Sequence, residues 1–106
     1  MAKYLVMASY TAEGAKGLMK DGGTKRRQAA EQAIKSAGGK LEAFYFAFGE
    51  NDAFVIIDAA DHATVASASL AINASGAVHS KTIVLLTPEE IDQATKKSTT
   101  YVPPGR

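Results

Sequence analysis

The residues best suited to chemistry begin at GGTKRR, residues 22–27, where two glycines and a threonine precede three consecutive cations. Alanine and isoleucine at helical spacing follow between Ala29 and Ala37, which predicts a helix with Thr24 as its N-cap. Cations in the first turn of a helix are unfavourable, because the helix dipole is positive at that end. A bound anion would remove the conflict, since free backbone N–H groups and basic side chains would both point at it.

Three further polar residues are expected near this helix start. Tyr10 ends the first predicted strand, Asp52 lies in the turn between the second and third strands, and His79 begins the fourth. In an antiparallel sheet of this connectivity these three positions share one edge. Arg26 lies on the helical row that should face the sheet, so the sequence predicts that it meets them.

These residues suggest a binding site and, alternatively, a catalytic one. In a binding site, Arg26 and the helix start at Thr24 would hold an anionic group, and Tyr10 and His79 would orient the ligand. Asp52 would then fix Arg26 or His79. In a catalytic site, His79 would be the general base and Tyr10 an oxyanion donor.

Each candidate also has an ordinary structural interpretation. The turn of residues 49–52 contains common hairpin residues. Arg26 can pair with Asp21 or with the aspartate of the turn, or it can be solvated. A lone strand histidine such as His79 is usually hydrogen-bonded or exposed, and Tyr10 can simply close the edge of a core.

Composition excludes several classes of function. The 106 residues contain 12 basic and 11 acidic side chains, which gives no electrostatic case for nucleic acid or an anionic membrane. The chain has no cysteine, its two histidines are isolated, and no apolar run approaches the roughly 20 residues of a membrane span. We therefore expect a cytoplasmic protein with no metal site and no cofactor, and no signal peptide at its start.

Hydrophobic periodicity and turn residues predict one domain across residues 1–106 with the order β-α-β-β-α-β. The predicted strands are residues 3–10, 40–48, 53–58 and 77–86, and the helices begin at Thr11, at Thr24 and at Asp58 or Asp61. This is an α+β, ferredoxin-like arrangement, in which a four-stranded antiparallel sheet carries both main helices on one face. An extra helix with a capping box follows at Thr87, and residues 98–106 form an extended tail.

Both faces of the predicted sheet are apolar, although the two main helices can cover only one. Strict alternation along residues 40–48 places Phe44, Phe46 and Phe48 on one face, opposite a second face with Tyr45. An exposed aromatic face would be unfavourable in water, so the pattern favours a homodimer, or a higher homo-oligomer, through the open sheet face. The alternative is that the C-terminal helix folds back over that face; its shortness and polarity favour the dimer.

The chain also resembles the GYD-domain family of small bacterial proteins along nearly all of its length. The segments that carry the resemblance are YTAEG (10–14), GGTKRR (22–27), GGKLEAFYFAFGENDAFVI (38–56), LLTPEE (85–90) and YVPPG (101–105). The family is named for a Gly, Tyr, Asp cluster at the strand two–three turn; Gly49 and Asp52 match it, and Asn51 stands at the usual tyrosine position. The resemblance implies a dimeric α+β barrel-type fold and no particular reaction.

Three functions are therefore compatible with the sequence. The first is a homo-oligomer that binds a small anionic metabolite near the 49–52 turn. The second is a cofactor-free monooxygenase or isomerase, which requires an apolar cavity with His79 facing inward. The third is a structural or interaction module without a ligand, in which subunit contacts cover the whole aromatic face.

Overall fold

The computed structural model describes residues 2–106 and shows a four-stranded sheet with helices on one side. The strand order is β2-β3-β1-β4, with every neighbouring pair antiparallel, so the ferredoxin-like prediction is confirmed. The elements are β1 (Ala2–Tyr10), α1 (Ala12–Asp21), α2 (Gly23–Ser36), β2 (Lys40–Phe46), β3 (Ala53–Ala59), α3 (His62–Ala74), β4 (Val78–Leu85) and α4 (Pro88–Thr95).

Three of the four helices in residues 2–106 have an N-cap residue whose side chain accepts a hydrogen bond from the first turn, and α2 does not. Thr11, Asp61 and Thr87 each accept a hydrogen bond from a backbone N–H of the first turn. The N-cap of α2 is Gly22, with no side-chain hydrogen bond, so the prediction that Thr24 caps this helix is wrong. The reason is that α1 continues to Asp21 and leaves Gly22, with φ of 83°, as the only residue between the helices.

Small and branched residues build the core between the sheet and the helices. Alternate residues of β1 and β3 face this side, and Ala30 and Ile34 of α2 and Val65 and Ala68 of α3 pack over them. Tyr4 is the largest side chain in this core, and its hydroxyl hydrogen-bonds His62 Nδ1 at 2.7 Å. This layer holds α2, and therefore the cationic segment, against the sheet.

A bulge in β2 changes the side that its first residues face. Leu41 pairs with Ile57, whereas Ala43 pairs with Ile56, so Glu42 is the extra residue. Leu41 therefore lies on the helix side together with Phe44 and Phe46, not opposite them as strict alternation predicted. The strand also ends at Phe46, which leaves Phe48 outside the sheet and fully exposed.

The second side of the sheet, here called the open face, is apolar as predicted. Strand pairing places eight apolar residues on it: Leu5, Met7, Ala43, Tyr45, Phe54, Ile56, Ile83 and Leu85. At one end Lys3 Nζ bonds Glu42 at 2.6 Å and Asp58 at 2.9 Å. The exposed fractions of Tyr45 and Ile83 are 71% and 46%, so nothing among residues 2–106 covers this face fully.

The last part of the chain, residues 86–106, projects from the domain and is here called the C-terminal arm. Every residue from 88 to 102 is exposed. The radius of gyration is 16.9 Å, whereas a compact domain of this length has about 13 Å. Helix α4 therefore does not fold back over the open face. Among residues 2–106, no helix has the length and apolar character needed to cross a membrane.

Candidate functional site

The turn after β2 is fastened to the end of β1, as the predicted topology required. Ser9 Oγ donates to the carbonyl oxygen of Glu50 at 3.0 Å, and the backbone N–H of Asp52 donates to the carbonyl oxygen of Ala8 at 2.8 Å. Inside the turn, Ala47 N–H donates to the carbonyl oxygen of Asp52 at 2.8 Å. The 49–52 turn thus lies at one rim of the sheet beside Tyr10.

Asp52 positions backbone and does not pair with a cation. Its Oδ2 accepts a hydrogen bond of 2.8 Å from the backbone N–H of Tyr10, and the side chain is half-buried. Among the described residues, no basic nitrogen lies within 4.0 Å of this carboxylate. The expected ion pair of Asp52 with Arg26 or His79 is therefore not formed, and Asp52 instead holds the end of β1 against the turn.

His79 shares the rim with Tyr10 but lies on the other side of the sheet. It pairs with Ser9, whose side chain is on the open face, whereas Tyr10 pairs with Val78, which is buried on the helix side. His79 is exposed, in a shallow pocket with Met7, Asn51 and Lys81. The sheet separates His79 from Arg26 and Tyr10, so these three side chains are not neighbours within one chain, as the sequence had predicted them to be.

Arg26 reaches the helix side of the sheet, as its position on α2 predicted. It is half-buried and lines a cavity of about 40 Å³ whose other walls are almost entirely apolar. The residues that line it are Val6, Ala8, Tyr10, Ala30, Ile34, Phe44, Ala53, Val55, Ile57, Ile72, Val78 and Ser80. Within residues 2–106 no carboxylate lies within 4.0 Å of the guanidinium, and the nearby Asp21 pairs with Lys25 instead, at 3.5 Å.

A larger groove opens beside this cavity, between the start of α2 and the end of β2. It has a volume of about 490 Å³ and is lined by Tyr10, Ala15, Leu18, Gly23, Phe46, Ala47, Phe48 and Asp52. Tyr10 lines the inner cavity, this groove and a third cleft of about 180 Å³ that also includes Arg26. The Tyr10 side chain is thus the common wall between the apolar interior and the outer surface.

The start of α2 borders the groove through Gly23, and no side chain caps the backbone N–H groups of its first turn. The first turn has no acidic residue and no side-chain cap, so its N–H groups are available to a ligand or to water. A Cβ on Gly23 would lie 3.0 Å from Phe46 Cε2, so glycine allows the aromatic ring to approach the helix start. Thr24 follows at an exposed position in the same turn.

Sequence reasoning did not identify the aromatic wall of the groove. The sequence placed Phe46 and Phe48 on an aromatic sheet face, as core or interface residues, and gave Leu18 no role in a site. The signal that could have identified them is Gly23, because a glycine in the first turn of a helix allows a neighbouring ring to approach closely. Within residues 2–106, no group of three or more histidine, aspartate or glutamate side chains could hold a metal ion.

Comparison with known proteins gives one match. The model of the GYD domain family matches residues 4–95, which cover all eight elements apart from the first two residues of β1. The chain belongs to the GYD domain family. No curated protein and no solved structure matched this GYD-domain chain significantly. The candidate groove lies within the matched residues, and the 49–52 turn at its edge has Asn51 in place of the tyrosine expected from the family resemblance.

Proposed function

We propose that this GYD-domain protein binds a small anionic metabolite with an apolar body in the groove beside α2. The observation that carries the proposal is Arg26, a half-buried cation at an apolar cavity with no carboxylate within 4.0 Å among residues 2–106. Half-buried cations are normally paired or hydrogen-bonded to an anion, because desolvation of an unpaired charge is unfavourable. An anionic ligand would supply that partner.

The proposed pose follows from the sizes of the cavities. The inner cavity of about 40 Å³ has room for only a few water molecules. The groove of about 490 Å³ has the volume of a small-molecule site and apolar walls from Leu18, Phe46 and Phe48. The apolar body of the ligand would therefore lie in the groove, with its anionic group toward Arg26 and the first N–H groups of α2.

The remaining candidate residues have supporting roles in this proposal. The Thr24 hydroxyl, in the first turn of α2, can donate a hydrogen bond to the same anion. The Tyr10 hydroxyl can orient the ligand, and Asp52 fixes the backbone of Tyr10. His79 takes no part, since it lies across the sheet. A general base at His79 acting with Tyr10 is likewise unsupported, which disfavours the monooxygenase or isomerase alternative.

The test measures binding of small probe molecules that differ in charge or in shape. Benzoate, phenyl phosphate and isobutyrate are titrated into the isotopically labelled protein, with benzamide as the neutral match of benzoate, and backbone amide shifts are followed by NMR. We expect shifts centred on residues 10 and 22–26, and at least about tenfold weaker binding by Arg26→Gln, since a charge-assisted hydrogen bond contributes about 1.5–3 kcal/mol.

The exposed neighbour Arg27 provides the matched control for this test. Arg27→Gln removes the same charge from the same helical turn, so its affinity should stay within about twofold of the unmodified protein. Equal losses in the two variants would indicate a general charge effect and contradict a specific site. Equal binding of benzoate and benzamide, or shifts elsewhere, would also contradict the proposal.

We also propose that the open face packs against a second copy of the chain. Eight apolar side chains lie on this face, and the exposure of Tyr45 and Ile83 supports a partner there. Because the face of each copy would be the same surface, a two-fold dimer closes the assembly. Sedimentation of Tyr45→Lys should show a monomer, whereas Leu70→Lys, at an equally exposed position on α3, should sediment as the unmodified protein does.

A further inference from the structure

The C-terminal arm has apolar side chains that contact little of their own domain. Ile91, Tyr101 and Val102 are 46%, 72% and 66% exposed, and Leu86 at the base of the arm is 59% exposed. They lie along a projection that contributes to a longest dimension of 55 Å for the chain. Several large apolar groups on one protruding segment are typical of a surface that a partner covers.

Helix α4 is also too short to be stable without a partner. It has eight residues, Pro88–Thr95, and each of them is exposed. Isolated helices shorter than about 12–15 residues are marginal in water, because few hydrogen bonds offset the cost of nucleation. The capping box at Thr87 and Glu90 stabilises its first turn but buries no apolar surface. Packing against another surface would supply the missing stabilisation.

The limited size of the open face indicates that the surface on which α4 packs belongs to the second copy of the chain. Four strands about 4.8 Å apart and about seven residues of about 3.3 Å each give a planar area of roughly 440 Å² per copy. Two such faces have a combined planar footprint of roughly 900 Å², which is small beside the 1,200–2,000 Å² or so of accessible surface that specific, stable interfaces bury. Additional contact area would therefore strengthen a dimer through the open face, and the arm begins directly after the edge strand β4.

We propose that the C-terminal arm of each protomer packs on the other copy of the chain and completes the dimer interface. Ile91, Tyr101 and Val102 are the anchoring side chains, and α4 becomes a stable helix only in the dimer. This inference rests on the proposed dimer through the open face. It adds that the arm, and not the sheet alone, determines the strength of association.

Sedimentation equilibrium of the full-length chain tests this inference. The variant Ile91→Ser/Tyr101→Ser/Val102→Ser should raise the dimer Kd at least tenfold, and Leu70→Ser, an exposed apolar residue outside both surfaces, should leave it within twofold. If the triple variant dimerises as the unmodified chain does while Tyr45→Lys is monomeric, the role of the arm is overturned and the face dimer stands. A monomeric unmodified chain at all concentrations overturns both.

Hydrogen exchange provides a second, independent measurement. Amides of α4 should be protected in the unmodified protein well above its Kd and should lose that protection on dilution below it. Protection of the core strand β3 should change much less over the same range, because its hydrogen bonds lie within one chain. Amides of α4 that exchange freely in a confirmed dimer would overturn the proposal.

Discussion

Replacement of Asp52 tests whether the 49–52 turn is held by its aspartate. The carboxylate accepts a hydrogen bond of 2.8 Å from Tyr10 N–H, at a half-buried position. Asp52→Ala removes the acceptor and leaves the backbone donor of Tyr10 without a partner where water reaches it poorly. A hydrogen bond to a charged group contributes about 1.5–3 kcal/mol, so partial exposure suggests a loss of about 2 kcal/mol in the free energy of unfolding.

That loss is large enough to measure by heat or urea. Unfolding of a domain of this size has an entropy of about 0.2 kcal/mol/K, so about 2 kcal/mol lowers Tm by about 9 °C. Asp52→Asn keeps an oxygen acceptor without the charge and should lose about half as much. Circular dichroism melts and urea titrations of the same variants check both values, and agreement between them shows that unfolding remains two-state.

Glu50 provides the control within the same turn. Its carbonyl oxygen, not its carboxylate, accepts the hydrogen bond from Ser9, and its side chain is exposed. Glu50→Ala should therefore change Tm by less than about 2 °C, since exposed substitutions usually stay within about 0.5 kcal/mol. If Asp52→Ala were as stable as Glu50→Ala, the reasoning that the carboxylate holds the end of β1 would be refuted.

Two further predictions concern helix starts and are checked by thermal or urea unfolding. Gly14→Ala should destabilise by about 1–3 kcal/mol, because its Cβ would lie 2.0 Å from the carbonyl oxygen of Ala77. Gly17→Ala in the same helix meets no atom within 4 Å and should stabilise by about 0.5–1 kcal/mol; equal effects of the two would contradict the clash. Hydrogen bonds from Thr64, above all from its backbone N–H, hold the pKa of Asp61 below its ordinary value of 3.8. The contribution of Asp61 to the free energy of unfolding is therefore present above pH 3.8 and is lost as the pH falls through the lower folded pKa. In Asp61→Asn, the free energy of unfolding should depend less steeply on pH in that acid range, and its slope against pH near neutrality should not change.

The fold could be predicted because local signals agreed with one another. Apolar alternation marked the strands, Thr11 and Thr87 marked helix starts, and the order of elements has few compact solutions. The exposed apolar character of the second face was also predictable, because that prediction requires only a count of the apolar residues in the strands. These features depend on residue type over many positions, so one local error does not change them.

The site was predicted less well because it depends on single positions. The prediction of a shared rim was confirmed for Tyr10 and the 49–52 turn, but it did not specify which side of the sheet each residue faces. A shift of one residue in strand register moves a side chain to the other face, and sequence alone did not give the pairing of His79 with Ser9. Thr24 failed as an N-cap for a related reason, since α1 continues to Asp21 and the junction lies at Gly22, two residues before the predicted cap.

The two proposed surfaces are separable because strand alternation places them on opposite sides of the sheet. Arg26 and Tyr10 lie on the helix side, whereas Tyr45 and Ile83 lie on the open face. The end of β1 is where they approach each other, since Ser9 holds the 49–52 turn from one side and Tyr10 binds Asp52 on the other. A change in the open face that leaves this turn intact should therefore leave anion binding unchanged.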